Sequence, residues 1–207
     1  MKLILTDVDG TLTRKSLVLS HAGYLIEKGI IKDDGSYKAW SSDLKNESLI
    51  MAVAQNYRKE IIGLTLADMD AKNFVRGFYK NQNNWYSTLD EIEQRILVGD
   101  KVVLITGSSD FLVKELATIL GADYYATEYV LENGKFTGNV NGMFSENQKD
   151  DCIQWNINVN QYDYITGLGD TASDYGIFKH CDYKILVEPT QETLKSLIQK
   201  TIINEIR

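Results

Sequence analysis

The chain is poor in the residues that staple small folds together or build many metal centres. Its 207 residues include two cysteines, two histidines and one proline. Cys152 and Cys181 form no CxxC pair and have no neighbouring histidine, which sets aside a disulfide framework and a thiolate zinc site. They read as reduced thiols. His21 and His180 are too few for a multi-histidine metal centre and read as structural or exposed. No apolar run approaches the ~18 residues that cross a bilayer, so no membrane partner is expected. Lysine and arginine number 22 against 29 acids, a net charge of −7, and no basic patch interleaves with aromatics. A nucleic-acid partner is therefore not expected. An apolar strand begins almost at the first residue, leaving no room for a signal peptide, and a cytoplasmic location is expected.

What is present is the patterning of an α/β protein. A chain of this length buries roughly 70% of its unfolded surface, enough to fold without disulfides or a structural metal. Leu3-Ile4-Leu5 is a short apolar run ending in acids and glycine, the pattern of a buried parallel strand. From about Leu17 to Arg95 the spacing turns helical, as in Leu17, His21, Tyr24, Leu25 and again Ile50, Val53, Ala54, Tyr57. Strands and helices alternate after Lys101. Val102-Val103-Leu104-Ile105 is a strand, with Ser109 placed to cap a helix over Asp110 to Leu120. Tyr124-Tyr125-Ala126 reads as a third strand, and Tyr129 to Val140 alternates about Asn133-Gly134, a hairpin signal. A helix over about Asn147–Trp155, strands at Tyr164–Thr166 and Tyr183–Val187, and a helix from Thr190 complete the pattern. Such alternation predicts right-handed crossovers and a parallel sheet covered on both faces.

Four segments carry residue types suited to phosphoryl transfer. Asp7 and Asp9 stand at i and i+2 at a strand end, which puts both carboxylates on one face, and Gly10 suits a tight exit. Asp7 is the candidate nucleophile. Two unit charges at ~4 Å repel by about 4 kcal/mol at an effective dielectric near 20, so attack on a phosphate demands a divalent cation. Oxygen donors favour Mg²⁺. Asp7, the Val8 carbonyl and Asp170 are the candidate ligands, with Asp174 four residues on holding a metal-bound water. Asp9, in the outer shell of that ion, is the candidate general acid and base. Its neighbour's charge and partial burial are expected to raise its pKa relative to Asp7. Thr106 and Gly107 follow a strand and precede a helix, where hydroxyl and amide groups hold phosphate oxygens. Gly167-Leu168-Gly169-Asp170 reads as a flexible turn beside acids. An aromatic group (Tyr24, Trp40, Tyr57, Phe74, Phe78, Trp85) reads as packing in the helical stretch.

In this order, Asp7-Val8-Asp9-Gly10-Thr11, Thr106-Gly107-Ser108, Lys149, and Gly169-Asp170 with Asp174 resemble the four motifs of the haloacid dehalogenase superfamily. The similarity is closest to its phosphoserine phosphatase-like subfamily. The resemblance implies a Rossmann-like parallel sheet core (1–14 and 96–207) covered by helices, with a smaller helical cap (15–95) between the first and second motifs. It implies a Mg²⁺-dependent phosphatase acting on a small phosphorylated metabolite through a phospho-Asp7 intermediate. Thr11 would then assist Asp9 and the phosphate, and Lys149 would tie Asp7 to the phosphate. The Phe-Glu and arginine arrangement by which phosphoserine phosphatases bracket their substrate is not visible; Arg58, Glu60 and Arg76 are the available substitutes. A phosphotransferase or mutase on the same fold, and a non-catalytic phosphate-binding protein, are the alternatives.

Overall fold

A computed structural model describes residues 1–32, 47–142 and 145–207. Seven strands form one sheet in the order β4-β3-β2-β1-β5-β6-β7, from β1 (Lys2–Thr6), β2 (Lys101–Ser109), β3 (Asp123–Glu132), β4 (Lys135–Asn141), β5 (Tyr164–Gly169), β6 (Tyr183–Leu186) and β7 (Glu205–Ile206). All neighbours are parallel except the β3–β4 hairpin. The helices are α1 (Leu17–Glu27), α2 (Glu47–Glu60), α3 (Leu66–Met69), α4 (Ala71–Lys80), α5 (Thr88–Leu97), α6 (Asp110–Leu120), α7 (Glu146–Asn156), α8 (Tyr175–Phe178) and α9 (Gln191–Ile198).

The side-chain period of two divides the apolar strands between two faces. Ile4, Val102 and Leu104 join one core with Leu112 and Leu116 of α6, while Leu3, Leu5, Val103 and Ile105 join another with Ile153 of α7 and Ile177 of α8. Both faces are covered, so β1 and β2 read as unbroken apolar runs instead of alternating. Among the described residues no helix is long and apolar enough to cross a membrane.

The helical stretch leaves and rejoins the sheet through two adjacent segments. Arg14 N–H donates to the Asn84 carbonyl at 2.7 Å, Tyr86 N–H to the Leu12 carbonyl at 2.9 Å, and the Thr88 hydroxyl to the Thr11 carbonyl at 2.6 Å. Helix α5, which the sequence reading groups with the cap, follows this pairing and packs on β2, with Leu89 and Ile92 in the core. The intervening helices pack on α6 and on the β3–β4 hairpin, whose Phe136 exchanges backbone bonds with Gly63 and Leu64. His21 lies in this region, fully buried. Its Nε2 faces the Met69 carbonyl at 2.7 Å, which can only accept, so Nδ1 accepts from the Tyr57 hydroxyl at 2.7 Å. Burial holds its pKa down at about 4, a neutral core histidine. Of the aromatic group, Tyr57, Phe74, Phe78 and Trp85 are buried; Trp40 lies outside the described residues.

Several elements differ from the sequence reading in form, and β2 itself runs through Thr106 and Gly107 to Ser109. Tyr124–Ala126 and the first arm of the hairpin are one continuous strand, β3, which pairs parallel with β2 through Thr127 and then antiparallel with β4 from Glu128. The hairpin turn itself is as expected, with Asn133 and Gly134 both at positive φ, 51° and 77°. Gly167 and Gly169 are strand residues of β5, not a flexible turn. A Cβ at Gly169 would lie 2.4 Å from the Asp174 Cβ, so glycine there makes room for that acid.

Candidate active site

Register places the acids. β1 is the central strand, with Thr6 level with Leu104 on one side and Leu168 on the other. Two positions further along, Val8, Thr106 and Asp170 therefore lie side by side toward the carboxyl edge of the sheet, Thr106 still within β2. The chain extends from β1 toward β2 and β3, then returns to β5 on the opposite side, so this edge is a topological switch point.

The Asp7 side chain is buried beneath it. Lys149, on the first turns of α7, sends its ammonium to Asp7 Oδ1 at 2.8 Å and Asp174 Oδ1 at 2.6 Å. Asp7 Oδ2 has no donor among the described residues. Asp174 Oδ2 accepts the backbone N–H groups of Asp170 (2.9 Å) and Thr171 (2.8 Å) and the Thr171 hydroxyl (3.1 Å). Both oxygens of Asp174 are thus engaged in holding Lys149 and the loop that carries Asp170. Thr11 donates its hydroxyl to Asp170 Oδ1 at 3.2 Å, facing that acid rather than Asp9.

Asp9 is held by a separate set of donors. Its Oδ2 accepts the hydroxyls of Ser108 (2.8 Å) and Ser16 (3.1 Å), and its Oδ1 accepts Leu17 N–H at 3.0 Å. Thr106 is buried, and its hydroxyl accepts Ser108 N–H at 3.2 Å. The Gly107 carbonyl accepts the Thr127 hydroxyl at 2.7 Å. Ser109 stands at the N-cap position of α6 without a side-chain cap bond, and its buried hydroxyl has no partner among the described residues.

Burial dominates the electrostatics. It pushes the Asp7 carboxyl up to about 7 against the attraction of Lys149. Asp9 is also raised by burial, opposed by the Leu17 amide, the two serine hydroxyls and the charge of Lys149. Burial raises Asp9 as expected, but it raises Asp7 as well, and the charge of Asp9 adds to the rise of Asp7. Asp170 is raised well above the carboxylate range by burial, then by the charges of Asp174 and Asp7. Four carboxylates therefore share one ammonium.

That imbalance suits a divalent cation, which would offset the repulsion between Asp7 and Asp170. No three acidic, histidine or cysteine side chains form a ready-made cage among the described residues. Mg²⁺ keeps several waters and takes one or two carboxylates, so it needs no such cage. The Val8 carbonyl does not fit the role given to it. It accepts the N–H groups of Leu12 (2.9 Å), Thr13 (3.0 Å) and Thr11 (3.3 Å) and the Thr13 hydroxyl, all within the turn that follows β1. The Asp9 carbonyl, one residue on, accepts no hydrogen bond among the described residues. Gly10 abuts the same place. Its φ is +85°, and a Cβ there would lie 2.2 Å from Asp170 Oδ2.

Of the three cap residues named as substitutes for substrate recognition, Glu60 and Arg76 are exposed. Arg58 is half-buried, donates to the Ala54 carbonyl within its own helix, and lies within electrostatic reach of Tyr129, as does Asp9. The sequence reading missed Ser16 altogether. Its only signal was its place before an amphipathic helix.

The family model for haloacid dehalogenase-like hydrolases matches residues 4–179. The chain belongs to this family. Its fold is shared with solved hydrolases and with proteins of unassigned role. A protein of unknown function from Bordetella pertussis Tohama I superposes with a TM-score of 0.78 at 18% identity, over 100% of this chain and 98% of the other. A substrate-bound phosphoserine phosphatase superposes with a TM-score of 0.65 at 20% identity, over 99% and 91%. A phospho-aspartyl intermediate analogue of phosphoserine phosphatase gives 0.63 at 20% identity, over 99% and 92%. No curated protein matches the chain by sequence.

Proposed function

We propose that this hydrolase is a Mg²⁺-dependent phosphatase that cleaves a small phosphate monoester through a phospho-Asp7 intermediate. The observation that carries the reading is the ammonium of Lys149 on Asp7 Oδ1. It holds a buried carboxylate in one rotamer and leaves Oδ2, which has no donor among the described residues, to attack. The phospho-aspartyl analogue known for phosphoserine phosphatase supports the same chemistry on this fold. Mg²⁺, when bound, would neutralise the phosphoryl oxygens and the carboxylates that meet them. Asp7, Asp170 and the Asp9 carbonyl are the residues that would hold it. Asp174 secures the Asp170 loop.

The remaining steps belong to the chain itself. Asp7 Oδ2 forms a bond to phosphorus as the bond to the leaving oxygen breaks, and Asp9 gives that oxygen its proton. Asp9, now a carboxylate, takes a proton from water, whose oxygen attacks phosphorus and releases Asp7 and inorganic phosphate. Lys149, Thr106 and the amides about Gly107 would hold the phosphoryl oxygens, at the N-terminus of α6. The substrate is read as a small phosphorylated metabolite in the cytoplasm, with neither nucleic acid nor membrane as partner.

Asp7→Asn is the deciding experiment. It should abolish hydrolysis of an aryl phosphate while circular dichroism and thermal unfolding stay those of a folded protein. Turnover near that of the unmodified enzyme would refute a phospho-Asp7 mechanism.

A further inference from the structure

We infer that Ser16 and Ser108 are positioning residues for Asp9, and that Ser16 ties the orientation of this acid to the first helix of the inserted segment. The inference rests on the reading of Asp9 as the proton donor to the leaving group. Ser16 is buried and does two things with one hydroxyl: it accepts Leu19 N–H at 3.4 Å as the N-cap of α1 and donates to Asp9 Oδ2 at 3.1 Å. Leu17 N–H, the next donor at the same helix end, goes to Asp9 Oδ1. From the opposite side, on β2, Ser108 brings its hydroxyl to Oδ2.

A carboxylate offers about four acceptor sites. Three are used by these bonds, and the fourth, on Oδ1, remains for a leaving-group oxygen or a water. The grip comes from two parts of the fold that are far apart in sequence, the entrance to the insertion and the end of β2. The carboxylate is therefore aimed only while α1 is docked against the sheet. Helix capping alone does not require this geometry, because an N-cap serine needs only to accept.

The two roles of Ser16 separate by substitution. Threonine caps and donates; aspartate caps but, as a carboxylate, cannot donate; alanine does neither. The readout is the dependence of kcat/KM on leaving-group basicity across ring-substituted phenyl phosphates, from nitrophenyl to unsubstituted phenyl. Acid assistance matters most for the poor leaving group. Ser16→Ala, Ser16→Asp and Ser108→Ala should lower turnover of phenyl phosphate by about tenfold, the effect of losing one hydrogen bond to a charged group, and barely change that of nitrophenyl phosphate. Ser16→Thr should retain the unmodified slope, and Asp9→Asn should give the steepest. Slopes for Ser16→Asp and Ser108→Ala equal to that of the unmodified enzyme, beside a steep Asp9→Asn, would overturn the positioning role and leave the phosphatase reading intact. An unchanged slope in Asp9→Asn would instead overturn the role of Asp9 itself, and this inference with it. Ser16→Asp keeps the helix cap, so it reports on Asp9 even where Ser16→Ala weakens α1.

Discussion

Replacing Lys149 with methionine should destabilise the protein as strongly as it inactivates it. The lysine side chain is only 4% exposed, and its ammonium is the one cation between two carboxylates of 8% and 0% exposure. Methionine keeps most of the stem volume and removes the charge. Two charge-assisted hydrogen bonds disappear, and Asp7 and Asp174 stay behind as buried acids without a counter-ion. Removing one partner of a buried pair costs about 3–5 kcal/mol, against a total stability on the order of 5–15 kcal/mol. With a urea slope on the order of 2 kcal/mol per molar, the midpoint should fall by about 2 M. The loss should depend on pH. Lys149 lowers the Asp7 pKa against its burial, so without it Asp7 rises further above about 7. A raised carboxylate favours the fold while protonated and loses that contribution as pH rises through the folded value. The variant should therefore lose less near pH 5 than near pH 8. Urea unfolding in chelator, at both pH values and beside Lys149→Met/Asp174→Asn, provides the test. The double variant should recover part of the stability and none of the activity. A midpoint for Lys149→Met within about 0.5 M of the unmodified protein would refute the view that this ammonium is what allows the acids to be buried.

Other perturbations probe separate parts of the same structure. Gly10→Ala adds a left-handed cost of about 1–2 kcal/mol and drives a methyl group to 2.2 Å from Asp170 Oδ2. The Mg²⁺ concentration for half-maximal activity should rise at least about tenfold in a titration; unchanged metal dependence would count against Asp170 as a ligand. His21, held neutral with a pKa of about 4, should withdraw stability as pH falls from about 6.5 to 4, by up to about 3 kcal/mol. Thermal unfolding of His21→Gln across this range should show a shallower acid limb, and parallel profiles would exclude the histidine as its source.

The order of elements and the location of the acids were legible because both are local properties. The apolar runs at Leu3–Leu5 and Val102–Ile105 are strands because both faces of the sheet are covered, and the acids that end the first run fall at its carboxyl edge. Asn133-Gly134 announces its turn because both positions need positive φ. Ser109 shows where local reading fails: it occupies a capping position, yet its hydroxyl makes no cap. The edge strand β7 was not expected from sequence at all. Two residues carry no periodicity, and Glu205 and Ile206 are strand only because β6 lies beside them.

Within the site, the sequence by itself determined which groups are available: two acids at a strand end, a lysine, and a glycine-acid loop. It could not say which oxygen each donor would meet. The tertiary structure withdraws the Val8 carbonyl into a turn, binds Asp174 to Lys149 and two loop amides, and aims Asp9 with hydroxyls from positions 16 and 108. The physical reason is that the type of a functional group is carried by its residue, whereas its direction is set by hydrogen bonds to partners distant along the chain. Those partners meet only when β1, β2, β5, α1 and α7 have packed.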